Sequence, residues 1–392
     1  MKYNIWKDYP KMPLPDVLSF IVDNRGKTVP TTENGHILIA TNCVRNENLY
    51  PSYEKIRFLS EETYQTWFRA HPLPGDILFV CKGTPGRCCL VPNPLDFCIA
   101  QDMVALRANQ DIIYNYFLLA VLRSREIQLQ ITNTSVGDVI PHFKKSFFDR
   151  IMIPVPPLDI QKIIGNYYMA FSNKIEINKK INENLEQQAQ SLFIEMFDSK
   201  ESNFWKQGVL SDIAEITMGQ SPSGNSYNEN GQGTVFFQGR AEFGFRFPTI
   251  RLFTSEPKRI AQKNDTLMSV RAPVGDLNVA HEECCIGRGL AAIHSKDNHQ
   301  SFVHYTMFSL QRELDVFNGE GTVFGSINRN ALNSMPIRVP PIDLMDKFEN
   351  IASPIDKLIR TNFDENCHLQ AIRDSILPKL MAGEIDLSNF KL

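Results

Sequence analysis

Basic side chains in one stretch of the sequence have the chemistry of nucleic-acid contacts. Between Arg240 and Arg271, seven Lys or Arg residues stand against three Asp or Glu residues. Arginine pairs with a guanine edge through two hydrogen bonds and also binds phosphate oxygens, whereas the interleaved phenylalanines are more typical of strand cores. A solvated charged face is the alternative for any single residue. The candidate DNA-binding residues are Lys82, Arg87, Arg240, Arg246, Arg251, Arg271 and Arg288.

Motifs for catalysis and for metal binding are incomplete. Residues 26–28, Gly-Lys-Thr, end like a phosphate-binding loop, but Ile21 stands where the first glycine of that loop is required. Residues 93–95, Asn-Pro-Leu, fall short of the Asn-Pro-Pro-aromatic signature of adenine methyltransferases. Residues 281–285 contain His and Cys without the Cys-x-x-Cys or His-Glu-x-x-His spacing of zinc sites. We therefore predict no catalytic residue and no metal ligand in this chain.

The composition predicts a globular protein of more than one domain. The chain has 392 residues, of which 43% are hydrophobic and 22% charged, and its formal net charge is -3. That charge argues against coating nucleic acid by bulk attraction but allows local basic patches. The sequence has no apolar run of membrane length and no signal-peptide pattern, so we expect a cytoplasmic protein without a membrane partner. Its eight cysteines are then expected to be reduced thiols.

The elements that must position these residues occur twice along the chain. The turn that carries Lys82 recurs around Arg271, and Ile99-Ala100 recurs as Ile286-Gly287. Six such pairs keep their order along the sequence, which chance would hardly supply. The sequence therefore predicts two copies of one unit. In each copy, short strand-like runs and one helix candidate predict an α+β domain.

A double-proline segment ends each globular part, and a heptad pattern follows it. Apolar residues recur every seven positions around one asparagine in each copy, as in a coiled-coil seam whose polar rung fixes the register. The predicted seam residues are Ile164, Phe171, Asn178, Leu185, Leu192, Phe348, Ile355, Asn362, Leu369 and Ile376. The predicted intervening rungs are Ile160, Tyr167, Lys174, Ile181, Gln188, Leu344, Ile351, Leu358, Glu365 and Ile372. In an antiparallel pair, Asn178 would lie against Asn362; two independent amphipathic helices are the alternative.

These patterns predict an α+β fold with two globular domains, separated by two long antiparallel coiled-coil helices and related by a pseudo-two-fold repeat. The predicted boundaries are 1–155 for the first domain, 156–200 for the central helix, 201–338 for the second domain and 339–392 for the C-terminal helix and tail. Residues 217–233, rich in Gly, Ser, Asn and Gln, predict a long mobile loop. A helix over 158–197 would be about 60 Å long, which suits two separated half-sites on a duplex.

Three stretches carry a resemblance to a known family. They are residues 153–161 leading into 178–186, residues 269–276 with 287–291, and the tail 377–385. In these the sequence is similar to the specificity (S) subunits of type I restriction–modification enzymes. The resemblance covers nearly the whole chain and is weaker over residues 1–70.

The resemblance implies two target-recognition domains, each reading one half of a split double-stranded DNA sequence. It also implies a coiled coil that sets the spacer and docks two methyltransferase (M) subunits, within a complex that includes restriction (R) subunits. Methylation and cutting would belong to those partners, which use S-adenosylmethionine, ATP and Mg²⁺, whereas this chain binds no cofactor. Glu365 and Pro378 depart from the first copy and argue against strict symmetry of docking.

Three other functions are open on the sequence alone. One is the recognition subunit of a two-subunit, type II-like enzyme that both cuts and methylates around a split site. Another is a coiled-coil adaptor that binds only proteins. An enzyme of unrecognised type is the third. Neighbouring reading frames would separate the first of these from a type I system, and binding to duplex DNA would separate both from the adaptor.

Overall fold

The computed structural model describes residues 3–24, 26–135, 141–198, 204–319 and 325–385. The chain divides into two compact units. Unit 1 is formed by Met1–Lys180 with Asn362–Leu392, and unit 2 by Ile181–Thr361. Each unit holds one α+β domain and a part of two long helices, so the predicted fold class is confirmed. None of the described helices carries the continuous apolar stretch that crossing a bilayer requires.

The domain of unit 1 combines two main sheets with three short helices. Its strands are β1 Lys11–Pro13, β2 Leu18–Val22, β3 His36–Ile39, β4 Arg57–Leu59, β5 Ile77–Val80, β6 Cys88–Leu90, β7 Phe97–Ile99, β8 Met103–Ala108 and β9 Met152–Pro154. Its helices are α1 Glu61–Thr66, α2 Asn115–Arg123 and α3 Arg125–Thr134. One sheet is antiparallel in the order β2-β8-β5-β6, the other has the order β4-β3-β7 with β3 and β7 parallel, and β1 pairs with β9.

The fully buried strand β5 shows why this sequence folds as a covered sheet. Its four residues are Ile-Leu-Phe-Val, all apolar and all buried. Ile77 and Phe79 belong to one hydrophobic cluster, whereas Leu78 and Val80 belong to another. Because successive strand residues point to opposite faces, the antiparallel sheet has a core on each side.

The domain of unit 2 repeats this plan. Its strands are β10 Lys206–Val209, β11 Ala214–Met218, β12 Tyr227–Asn228, β13 Thr234–Phe237, β14 Leu252–Thr254, β15 Ile260–Ala261, β16 Thr266–Ser269, β17 Leu277–Val279, β18 Cys284–Ile286, β19 Leu290–Ser295 and β20 Pro336–Val339. The sheet β11-β19-β16-β17 corresponds to β2-β8-β5-β6, and β13 pairs in parallel with β18 as β3 does with β7. The short helices are α5 Leu210–Ile213, α6 Gln300–Ser309, α7 Gln311–Asp315 and α8 Arg329–Asn333.

The repeat extends to individual side chains. Asp76 and Asp265 occupy matching places just before β5 and β16, and both are buried. Asp76 pairs with Arg107 of β8 at 2.9 Å, and Asp265 pairs with His294 of β19 at 2.6 Å.

The prediction of one loop over 217–233 is wrong in part, because Met218 ends β11 and residues 227–228 form β12.

Two helices of 40 residues each, α4 Leu158–Phe197 and α9 Ile342–Met381, contribute to both units. Of the predicted seam residues, Ile164, Asn178, Phe348 and Asn362 are buried, and the other six are half-buried. The buried positions between these seam residues lie one residue later along the chain than the predicted intervening positions. The buried positions are Tyr168, Ile175, Asn182 and Ala189 on α4 and Met345, Ala352, Ile359, Asn366 and Arg373 on α9.

The polar rung of the seam has a different partner from the one that heptad alignment predicts. In unit 1, the Asn178 amide donates to Glu365 Oε2 at 2.7 Å and to Asn366 Oδ1 at 2.9 Å. These acceptors lie about one turn beyond Asn362, and one of them, Asn366, is buried. The amide pair therefore satisfies two buried polar groups that would otherwise oppose packing.

Candidate nucleic-acid interface

Five loops of unit 2 meet at one edge of its sheets. Backbone hydrogen bonds join Val270 N–H to Gly289 O at 2.9 Å and Gly287 N–H to Phe237 O at 2.8 Å. Further bonds join Ala272 to Gly325 and the Arg288 backbone to the Ser221 hydroxyl. The loops around 220, 238, 271, 288 and 325 are thereby held together. We call this surface the loop edge of unit 2.

Glycine allows the backbones of this edge to pack directly on each other. A Cβ atom at Gly219 would lie 2.1 Å from the Gly287 carbonyl oxygen, and one at Gly287 would lie 2.9 Å from Gln238 Cα. Such distances are too short for any larger residue without movement of the backbone. The edge is therefore preorganised before any ligand arrives.

Substitution at Gly219 gives a direct test of this packing. Gly219→Ala should lower the free energy of unfolding by about 1–3 kcal/mol, because the added methyl group forces the two backbones apart. Gly224→Ala is the matched control, since no atom lies within 4 Å of its added Cβ. Denaturant unfolding of both variants measures the difference. Equal stabilities would contradict the packing described here.

Two predicted DNA-binding arginines stand exposed on the loop edge of unit 2. Arg271 and Arg288 are exposed, and within the described ranges neither side chain has a hydrogen-bond or ion-pair partner. Their guanidinium groups are therefore available to an external anion or base edge. Both residues are within the loop set that the backbone bonds hold in place.

Two other predicted arginines are engaged by carboxylates. Arg240 forms an ion pair with Asp276. Arg251 pairs with Glu242 at 2.8 Å and with Glu229 at 3.3 Å. Both arginine side chains are about half exposed, at 49% and 55%. They lie on the surface of unit 2, but an incoming phosphate would compete with acids already in place.

Arg246 is a correction to the predicted set. Its side chain is only 5% exposed and donates to Glu186 of α4 at 2.9 Å and to Asp356 of α9 at 2.5 Å. Its guanidinium also lies 5.4 Å from the centre of the Tyr305 ring. A buried arginine with two carboxylate partners cannot contact DNA as an exposed one does. Through these ion pairs, Arg246 instead links the domain of unit 2 to the segments of α4 and α9 in the same unit.

Unit 1 has a loop edge of the same design. Cys81 N–H donates to Asp102 O at 2.8 Å, Gly83 N–H donates to Pro141 O at 3.0 Å, and Asn24 Nδ2 donates to Ile99 O at 2.8 Å. The residues of this surface, the loop edge of unit 1, come from the loops around 24, 82, 101 and 142. Matching bonds build the two edges at matching places in the repeat.

The two candidates of unit 1 have no competing partner among the described residues. Lys82 is exposed and Arg87 is half-buried, and neither side chain forms a hydrogen bond or ion pair in the described part of the chain. Lys145, which our sequence interpretation missed, also belongs to this edge but pairs with Asp23. The one feature of the sequence that could have indicated Lys145 is its position beside Lys144, near the end of a helix–loop connection.

Gln101 is a second residue that the sequence interpretation missed. It follows Ile99-Ala100, as Arg288 follows the matching Ile286-Gly287. Its Oε1 atom is out of contact with solvent and has no hydrogen-bond partner within the described residues. The repeat itself carried the signal, since extending the alignment by one residue pairs Gln101 with Arg288.

The helices α2 and α6 are attached to the long helices by polar contacts. In unit 1, the Gln161 side chain accepts the Tyr114 N–H at 2.8 Å. In unit 2, the Glu349 carboxylate accepts the N–H groups of Ser301 and Phe302 at 3.3 and 3.1 Å. The free N–H groups at the start of a helix need such acceptors. Burial raises the pKa of Glu349, although these donors oppose the change.

His304 is a buried residue of α6 in unit 2. Only 2% of the residue is exposed, Nδ1 lies 3.1 Å from the Thr266 hydroxyl, and Nε2 has no hydrogen-bond partner among the described atoms. Burial, with a smaller contribution from Arg246, lowers the pKa of His304 well below its usual value. The ring is therefore neutral in the folded protein.

The lowered pKa of His304 predicts a loss of stability in mild acid. The unfolded chain takes up a proton near pH 6.5, whereas the folded chain does not, so stability is complete above that pH and falls as the pH decreases. Between about pH 7.5 and pH 5 the loss should reach up to about 2 kcal/mol. Thermal unfolding of the parent chain and of His304→Gln across this range measures it. An equally steep decline in the variant would assign the effect to other groups.

No cluster of three metal-binding side chains occurs within the ranges that the structure describes. The loop edges themselves present cationic and amide side chains, namely those of Lys82, Gln101, Arg271 and Arg288. Exposed arginine and lysine, with a half-buried glutamine, on a rigid backbone suit phosphates and base edges in a duplex.

Comparison with known proteins places this architecture in a family. The family described as "Type I restriction modification DNA specificity domain" matches residues 8–187 and again residues 203–370. A protein of Methanocaldococcus jannaschii, provisionally named the specificity subunit of the type I restriction enzyme MjaX, is 32% identical over 339 residues, covering 79% of this chain and 78% of that protein. The MjaIX specificity subunit of the same organism is 23% identical over 348 residues, with 79% and 78% covered.

A solved structure supports the fold. The crystal structure of the type I restriction–modification S subunit from M. genitalium shares the fold with a TM-score of 0.57 and 17% identity, over 97% of this chain and 98% of that one. The two family matches coincide with the two copies of the repeat. This chain therefore belongs to the family of type I restriction–modification specificity subunits, which recognise the DNA target.

Proposed function

We propose that this chain reads a bipartite double-stranded DNA target, with one half-site for each unit, and scaffolds the M and R subunits of a type I complex. The observation that carries the proposal is the repeated loop edge. Each unit presents exposed or half-buried cations that have no side-chain partner among the described residues, on loops fixed by matching backbone bonds. Two equal recognition surfaces on one chain suit two half-sites.

The spacer between the half-sites would depend on the two long helices. Each is 40 residues long and so extends for about 60 Å. The buried residues Asn178 and Asn366 form a defined hydrogen bond, to which the half-exposed Glu365 adds a second. A polar pair of this kind fixes one register of a helical pair. A single register would give a single spacer length.

Exposed apolar residues on the long helices support the scaffold role. Ile177, Ile181, Ile351, Leu358 and Ile372 are between 40% and 53% exposed. Apolar groups repeated along a helix surface mark a protein contact. We assign these exposed residues of α4 and α9 to contacts with M subunits, two per chain, which would bind S-adenosylmethionine. The R subunits would bring ATP and Mg²⁺.

Replacing two of these exposed apolar residues by charged residues tests the scaffold role. Ile351→Asp combined with Leu358→Asp should abolish co-purification with the co-expressed M subunit and leave the melting temperature nearly unchanged, because both residues are already 46–49% exposed. Leu129→Asp is the matched control, since Leu129 is equally exposed, at 49%, but lies on α3 of the domain. Retained M binding in the double variant would refute the assignment.

Binding to duplex DNA tests the recognition role. The complex with M subunits should prefer one duplex sequence over others by about 10³-fold or more at physiological salt. Competition between labelled target and genomic fragments, repeated at several salt concentrations, measures that ratio. A complex that binds all duplexes equally at every salt concentration would point instead to a protein-binding adaptor.

A further inference from the structure

We propose that Gln101 and Arg288 are corresponding base-reading residues, with Gln101 selecting adenine in one half-site and Arg288 selecting guanine in the other. This inference rests on the proposed bipartite reading and adds the residues that determine its specificity. The fold makes these two positions equivalent, although their side chains differ.

The equivalence follows from the backbone on both sides of each residue. Before it, Ala100 N–H donates to Ile39 O at 2.9 Å, and Gly287 N–H donates to Phe237 O at 2.8 Å. These bonds continue the parallel pairs β3 with β7 and β13 with β18. The residue just before Gln101 and the residue just before Arg288 are therefore anchored in the same way.

The residue after each position is anchored in the same way too. Asp102 O accepts the Cys81 N–H at 2.8 Å, and Gly289 O accepts the Val270 N–H at 2.9 Å. Gln101 and Arg288 are thus the single residues at the tips of matching turns. Strands β5 and β16 lead into the loops that carry Lys82 and Arg271. Each tip residue therefore has an exposed cation in the neighbouring loop.

Neither tip residue forms a side-chain hydrogen bond or ion pair with any described residue. The Arg288 guanidinium is exposed and, in the described residues, has no partner, unlike the paired guanidinium groups of Arg240 and Arg251. Gln101 Oε1 has no hydrogen-bond partner in the same part of the chain. An acceptor atom that lacks a hydrogen bond in the free protein gains one when the side chain turns to a donor on a ligand.

The two side chains differ in the base that each can recognise. Arginine donates two hydrogen bonds, to O6 and N7 of guanine. Glutamine accepts from the N6 amino group of adenine and donates to its N7. Lys82 and Arg271 beside them would bind phosphates, which positions the reading residue but carries no sequence information.

Mapping of methylated adenines in cells that express the chain with its M subunits tests the assignment. Arg288→Gln should change one guanine position of one half-site to adenine, and Arg288→Ala should lower the preference for guanine there roughly 5- to 150-fold. Gln101→Arg should change an adenine of the other half-site to guanine. In each case the second half-site and the gap should stay as in the parent chain.

Arg288→Lys separates base reading from charge. Lysine keeps the positive charge but not the paired geometry, so overall binding should fall little while the guanine preference weakens. Unchanged base preferences in all four variants, or an equal loss of methylation at every sequence, would overturn the inference. A parent chain without any split motif would instead overturn the proposed function, so the two failures are distinguishable.

Discussion

Replacing Arg246 by alanine should lower the free energy of unfolding of unit 2 by about 3–5 kcal/mol. The reason is that Glu186 and Asp356 would be left as partly buried carboxylates without their common cation. Truncating one partner of a buried ion network exposes the full cost of desolvating the others. The melting temperature should fall by roughly 6–20 °C if unit 2 unfolds as a domain of its size. Differential scanning calorimetry measures this change.

The control for this prediction is Arg251→Ala. Arg251 also has two carboxylate partners, but its side chain is 55% exposed, and exposed ion pairs contribute little to stability. The melting temperature of this variant should therefore stay close to that of the parent chain. Similar decreases in melting temperature in the two variants would contradict the role of Arg246 in linking the domain of unit 2 to the long helices.

Removing one cation from each loop edge should weaken DNA binding in an additive way. Lys82→Ala and Arg271→Ala should each lower affinity for the target about fivefold near 0.15 M salt, and the double variant about 25-fold, because the two residues belong to separate units. Each change should also reduce the slope of log affinity against log salt by about 0.9. Titrations of the M-subunit complex with labelled target at several salt concentrations measure both quantities.

Arg251→Ala again serves as the matched control for these two variants. Its guanidinium is held by Glu242 and Glu229, so its loss should change affinity by less than about twofold. An affinity loss as large as that of Arg271→Ala would show that intramolecular pairing does not distinguish the candidates. An unchanged salt slope in the double variant would show that neither edge contacts phosphate.

The sequence predicted the long helices well because their pattern is local. The main heptad positions repeat at constant spacing, and Ile164, Asn178, Phe348 and Asn362 are buried where that spacing places them. The intervening positions were predicted one residue too early, since exposed apolar residues such as Ile181 imitate a core position. An apolar side chain alone does not reveal which of two neighbouring faces packs.

The loop edges could be predicted only in part. The repeat located Lys82 and Arg271 in matching turns, and both are exposed there. Arg246 could not be separated from them by sequence, because its carboxylates lie 60 and 110 residues away along the chain. Pairing of that kind depends on tertiary contacts, which composition and spacing do not contain.

We propose above that each of the two units reads half of one DNA target. The most direct measurement is the mapping of methylated adenines in DNA from cells that carry the unmodified chain with its M and R partners. We expect a split motif, with two short defined half-sites and a gap of fixed length. One continuous motif, or methylated adenines without a common sequence, would contradict it.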